Sequence, residues 1–86
     1  MSAKYKISSR SETIRENTTI TPDGFCGWLA QNIGDTRAEV NGFVLEPLDK
    51  LDFHDMQPDC EWITSIIITF ENGEGKLRLT RLQYSV

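Results

Sequence analysis

The pair Asn41-Gly42 constrains this sequence more than any other feature, because it separates two short segments that each have apolar residues at alternate positions, Ala38 and Val40 before the pair and Phe43 and Leu45 after it. A two-residue type I′ turn needs φ > 0 at both central positions, and Asn-Gly meets that need well. The register that follows pairs Val40 with Phe43 and Ala38 with Leu45. All four side chains would then point to one face of a β-hairpin, so turn chemistry and apolar pattern agree.

Other segments rich in β-branched and aromatic residues predict further strands. The clearest spans residues 62–70 and has apolar positions on both faces, as in a central strand. Shorter strands are expected at residues 5–7, 18–21, 28–31 and 50–53. A helix over 25–33 is an alternative, but the glycines there favour a strand. Six to eight short strands predict an all-β fold, a compact antiparallel β-sandwich or jelly-roll-like domain, with residues 1–86 as one domain.

A second hairpin is expected near the C-terminus, around residues 71–76. A two-residue loop there would place Glu71 opposite Glu74, which is a repulsive pair. A four-residue loop over 72–75 avoids this repulsion. The resulting register pairs Phe70 with Leu77 and Ile68 with Leu79.

The last strand changes the parity of its apolar residues. Leu77 and Leu79 share one face, whereas Leu82 and Tyr84 share the other. Two explanations are open. A β-bulge near Thr80-Arg81 would insert one extra residue, or the strand has apolar residues on different faces at its two ends.

Charge is spread unevenly along the 86 residues, with a net charge of −4 overall, +2 for residues 1–20, −7 for 21–61 and +1 for 62–86. The acidic centre argues against nucleic-acid binding, which needs a basic stripe. The N-terminus has no apolar run for a signal peptide, and no segment approaches the length of a membrane span, so we expect a soluble chain. Free thiols are expected for Cys26 and Cys60, with a single bridge as the alternative.

One segment, residues 52–60, gathers the residue types that bind metals, namely Asp52, His54, Asp55, Asp59 and Cys60. Its spacing matches neither a zinc site nor an EF-hand. No nucleophile motif accompanies the single histidine. We therefore expect no catalytic residue, no metal and no cofactor, and we interpret the segment as a solvated acidic loop.

The two tryptophans admit two interpretations. Trp28 and Trp62 could fill the core of a small sandwich, where aromatic side chains bury the largest areas. They could instead form an exposed platform for a sugar ring, which together with the acidic loop at 52–59 would make a module that binds carbohydrate or a cation. Solvent exposure of the indoles distinguishes the two.

Residues 32–49 combine Asn32, Gly34, the Asn41-Gly42 hairpin and the run Leu45-Glu46-Pro47. This pattern resembles small β-sandwich proteins of tailed bacteriophages, especially those infecting Bacteroidetes, including crAss-like phages. The run from Ile68 to Gly73, followed by Leu77-Arg78-Leu79, is similar to the closing hairpin of the same group, so the resemblance covers roughly residues 28–86. Leu48 stands where that pattern prefers Gly. The resemblance implies a virion or assembly component with no catalytic residues to carry over.

These observations predict a non-enzymatic structural protein, such as an auxiliary capsid, head-fibre or tail component, located in a virion or in the bacterial cytoplasm. Its expected partners are other protein subunits in a homo-oligomer or larger assembly, and not nucleic acid or membrane. Exposed strand edges would bind neighbours by β-augmentation. The surface expected to make contacts comprises Asn41, Gly42, His54, Asp55, Asp59 and Trp28.

Overall fold

The computed structural model describes residues 6–53 and 61–85, which form eight strands and two packed four-stranded antiparallel sheets. The strands are β1 (Lys6–Glu16), β2 (Thr18–Ile20), β3 (Gly27–Asn32), β4 (Ala38–Val40), β5 (Phe43–Leu45), β6 (Lys50–Phe53), β7 (Ile66–Phe70) and β8 (Glu74–Ser85). Sheet A has the order β1-β8-β3-β6, and sheet B has the order β2-β7-β4-β5. The predicted all-β sandwich is confirmed.

The core lies between the two sheets and is built from alternate residues of their strands. Sheet A contributes Ile14, Trp28, Ala30, Leu77 and Leu79, and sheet B contributes Ala38, Val40, Leu45, Ile66, Ile68 and Phe70. Phe25, just before β3, is also fully buried. Burial of each large side chain in this layer stabilises the folded state by about 1.5–3 kcal/mol, so this single layer provides the hydrophobic stabilisation of the small domain.

The Asn41-Gly42 hairpin is confirmed to the residue. Ala38 pairs with Leu45 and Val40 with Phe43. The turn residues have φ of 50° and 87°, both in the left-handed region that a type I′ turn requires. Phe43 is 52% exposed, because β5 is the edge strand of sheet B, and its ring lies 6.4 Å from that of Phe53 on β6.

Four further strand predictions are confirmed with small changes of bounds, and one of them is β2, which lies within the predicted residues 18–21. Residues 25–33 contain β3 and not a helix, and β6 spans the predicted residues 50–53. The predicted strand at 62–70 is shorter, since β7 begins at Ile66, but it is central, with β2 on one side and β4 on the other.

The predicted second hairpin is wrong. β7 pairs with β2 and β4 in sheet B, whereas β8 pairs with β1 and β3 in sheet A. The chain crosses from one sheet to the other between Phe70 and Glu74, so Phe70 and Leu77 do not pair as neighbours in one sheet. Gly75 permits the crossing, because a Cβ at that position would lie 2.3 Å from the Phe70 ring.

Of the two explanations left open for the change of parity in β8, the β-bulge near Thr80-Arg81 is excluded, since the pairing of β8 with β1 and with β3 is continuous there. The alternative holds, in which β8 presents apolar residues on different faces at its two ends. A register shift does occur earlier, between the pairs Ile14–Leu77 and Glu16–Glu74. Two residues of β8 there oppose one residue of β1, which places the bulge at Gly75 and Lys76.

Asn32 ties the loops at one end of the sandwich together, although it is a polar residue with no exposed surface. Its side-chain amide donates to the carbonyls of Thr36 (2.8 Å) and Leu45 (2.9 Å), and its Oδ1 accepts from the N–H of Gly34 (3.1 Å). Its backbone carbonyl accepts from the N–H of Leu48 at 2.8 Å. Every polar atom of the side chain is therefore satisfied, as burial requires.

Candidate interaction surface

The tip of the Asn41-Gly42 hairpin combines one anchored residue with one exposed residue. Asn41 is half-buried, and its Oδ1 accepts from the backbone N–H of Ile67 at 2.7 Å, while its own N–H donates to the Ile67 carbonyl at 3.0 Å. Gly42 is exposed, and a Cβ there would meet no atom within 4 Å. Asn41 therefore holds the tip against β7, and Gly42 is the part of the turn that faces solvent.

The outer face of sheet B extends from this tip and carries exposed apolar side chains. Ile67 on β7 is 52% exposed and Val44 on β5 is 53% exposed. On the same face, Glu39 of β4 lies opposite Thr69 of β7 on one side and opposite Val44 of β5 on the other. An open depression of about 430 Å³ lies on this face beside the tip. Exposed apolar residues next to a rigid turn are typical of a protein contact surface.

Trp28 does not belong to any surface, so its assignment to the interaction surface is wrong. It has no exposed area, and its ring packs against Phe53 at a centroid distance of 5.0 Å and against Trp62 at 5.6 Å. The core interpretation of Trp28 is confirmed, and a sugar platform that uses this indole is excluded by its burial. Trp62 is half-buried and donates its indole N–H to the Thr64 carbonyl at 2.6 Å.

The indole N–H of Trp28 has no hydrogen-bond partner within residues 6–53 and 61–85. A buried N–H without a partner costs about 1–3 kcal/mol relative to a satisfied one. The aromatic contacts with Phe53 and Trp62 stabilise the ring in this position.

The remaining predicted contact residues, His54, Asp55 and Asp59, lie outside the described residues, as does Cys60. Asp52 lies on β6 opposite Leu29 and is exposed. Cys26 is a buried free thiol that donates to the Leu82 carbonyl at 3.3 Å. Among the described residues, no group of three or more His, Cys, Asp or Glu side chains could hold a metal ion.

The inner face of sheet A carries a charged cluster that the sequence did not predict. The guanidinium of Arg81, whose side chain is only 13% exposed, pairs with Glu12 and, at 3.2 Å, with Asp23. It also lies 5.9 Å from the centre of the Phe25 ring. Only the pairing of β1 with β8 brings Glu12 near Arg81, because the two residues are 69 positions apart. No local signal in the sequence could have indicated this contact.

An open groove of about 790 Å³ lies at the end of the sandwich that contains the β8 bulge. Its lining has two cations, Arg15 and Lys76, and three carboxylates, Glu16, Asp35 and Glu74. Charges of both signs line the groove, so it favours neither an anion nor a cation.

Among the strands of residues 6–53 and 61–85, β1 has the longest edge without a partner strand. This strand is terminal in sheet A, and none of the backbone hydrogen bonds made outside the strand ladders of the described residues involves it. The other edge strands, β2, β5 and β6, have only three or four residues. β1 has eleven residues, so it offers the largest set of aligned, unpaired backbone groups.

Within the described part of the chain, no helix could cross a membrane. Comparison of the chain with protein-family models, with curated protein sequences and with solved structures gives no match.

Proposed function

We propose that this protein is a small non-enzymatic structural component of a bacteriophage or prophage virion, and that it acts through protein–protein contacts. The observation that carries the proposal is the set of large apolar side chains that the sandwich exposes. The side chains concerned, each more than half exposed, are Ile7, Phe43, Val44, Leu48, Ile63 and Ile67. A domain of this size that exposes so many large apolar groups gains stability when a neighbouring subunit covers them.

The resemblance to small phage β-sandwich proteins supports the same proposal through two local structures. The Asn41-Gly42 turn forms as the shared pattern predicts. The following turn, from Glu46 to Asp49, also forms, with the Asp49 N–H donating to the Glu46 carbonyl at 2.9 Å. Leu48 has φ 75°, the conformation for which Gly is the usual residue, and it is 77% exposed.

The proposal is tested on particles from the organism that carries the gene. Particles released after induction are purified on a density gradient, washed in high salt and analysed by mass spectrometry. We expect peptides of this chain to follow the particle band. Their absence from that band, while the chain is present in the soluble fraction of the same lysate, would contradict the proposal.

A further inference from the structure

We propose that the free edge of β1 pairs with β1 of a second copy of this chain, in an antiparallel register centred on Ser11. The two copies of sheet A would then form one continuous eight-stranded sheet. This inference rests on the proposed function, because it names the partner and the surface of one contact that such a structural protein makes.

The length of the edge is the first argument. In an antiparallel strand, alternate residues direct both N–H and C=O to the same side, so about half of the eleven residues of β1 present aligned groups to the free side. The bulge opposite Arg15 lies in β8 and not in β1. The free edge is therefore regular along its whole length.

The order of charges along the edge is the second argument. Five of the eleven residues are charged, which blocks pairing with most strands. Centred on Ser11, however, the strand is complementary to itself. Lys6 lies opposite Glu16 of the second copy, and Arg10 lies opposite Glu12, so a symmetric dimer contains each opposite-charge pair twice.

Shifting the centre by one residue removes this match. A centre at Arg10 places two arginines directly opposite each other, and a centre at Glu12 does the same with two glutamates. The centre at Ser11 is also the one that pairs all of Lys6–Glu16. The core faces of both copies lie on the same side of the joined sheet when the two-fold axis is perpendicular to the sheet. Such an axis passes between two residues that lie directly opposite each other, so the centre of the register is a residue and not a peptide bond.

The side chains on this edge are accessible to a partner. The side chain of Arg10 is 68% exposed and that of Glu12 is 41% exposed, although each also contacts a carboxylate or guanidinium of its own chain. No ion pair of the described residues involves Lys6 or Glu16. Lys6 and Glu16 can therefore pair with the second copy without loss of an ion pair among the described residues.

Disulfide trapping tests the register. Ser11→Cys and Thr13→Cys are each made with Cys60→Ser, so that the engineered thiol and buried Cys26 are the only thiols. At the centre, the two Ser11 positions are about 4.5–5.5 Å apart, within disulfide range, whereas the two Thr13 positions are about 13 Å apart. We expect Ser11→Cys to form a disulfide-linked dimer under mild oxidation and Thr13→Cys to stay monomeric on a reducing-agent-free gel. Equal trapping of both variants would overturn the register.

Charge exchange tests the same contact without a new thiol. Lys6→Glu replaces two attractive pairs by two repulsive ones, and we expect the dimer dissociation constant from sedimentation equilibrium to rise roughly tenfold. Glu16→Lys in the same chain restores the pairs, and we expect the double variant to return near the original value. A monomeric parent chain, or a single variant that dimerises as well as the parent, would overturn the inference. If the protein is present in purified particles but is a monomer, the proposed function stands and the dimer inference fails. If the protein forms the dimer but is missing from particles, the dimer inference stands and the proposed function fails.

Discussion

At the scale of single residues, asparagines satisfy backbone groups that strands leave unpaired. Asn17 accepts from the Phe70 N–H at 2.8 Å where the chain passes from sheet A to sheet B, and Asn41 accepts from the Ile67 N–H at 2.7 Å. Asn32 donates to the backbone carbonyls of Thr36 and Leu45 and accepts from the backbone N–H of Gly34. A short amide side chain can both donate and accept, which suits positions where strands end and loops begin.

Asn32→Asp is expected to destabilise the protein by about 3 kcal/mol or more. The substitution keeps the shape but removes both donors and places a charge against the carbonyls of Thr36 and Leu45 in a fully buried site. Gln31→Glu makes the same chemical change one residue earlier, where the side chain is partly exposed, and should cost less than about 0.5 kcal/mol. Urea unfolding measures both, and equal losses in the two variants would contradict this role of Asn32.

Leu48→Gly is expected to stabilise the protein by about 0.5–1 kcal/mol. Leu48 has φ 75°, where a Cβ is strained, and its side chain is 77% exposed and contributes little packing. Leu48→Ala is the control, because it shortens the side chain and keeps the strain. A glycine variant with a lower urea midpoint than the alanine variant would show that the leucine side chain contributes stability.

At the scale of elements, the connection between β7 and β8 decides the architecture. A hairpin and a crossing between sheets bury the same residues, because either arrangement directs Phe70 and Leu77 into the core. The crossing occurs where the Phe70 ring lies over Gly75 and where the Glu71 N–H donates to the Arg37 carbonyl at 3.0 Å. The apolar pattern alone cannot distinguish the two arrangements.

Gly75→Ala is expected to cost about 1–3 kcal/mol, because the new methyl group would overlap the Phe70 ring. In a Phe70→Leu background the same substitution should cost less than half as much, since the smaller side chain leaves room. A double-mutant cycle of unfolding free energies measures this coupling. Additive effects of the two substitutions would contradict the idea that Gly75 is needed to make room for the Phe70 ring.

At the scale of the whole molecule, the described residues form an elongated sandwich of about 52 × 21 × 18 Å. The paired ends of β1 and β8 account for part of this length, because β3 begins only opposite Leu82 and leaves the last three pairs without a third strand beside them. Trp28 is the largest fully buried side chain of the described residues, and the rings of Phe53 and Trp62 pack against it.

Trp62→Phe leaves Trp28 as the single indole, and we expect blue-shifted emission with little quenching by acrylamide. The reason is the complete burial of Trp28 between its aromatic neighbours. The same variant in urea is the control, where quenching should rise strongly. Similar quenching in the native and unfolded states would restore the exposed-platform interpretation of the tryptophans.

The sequence by itself determined the strand class, the Asn41-Gly42 hairpin and its register, and the central position of β7. These depend on local chemistry: turn residues that tolerate φ > 0, and alternation of apolar residues along a strand. Only the tertiary structure decided that β7 and β8 lie in different sheets, that Trp28 is buried, and that the polar segment Lys6–Glu16 is a long edge strand. The physical reason is that strand pairing joins residues far apart in sequence, as in Glu12 with Arg81, and such contacts leave no local pattern.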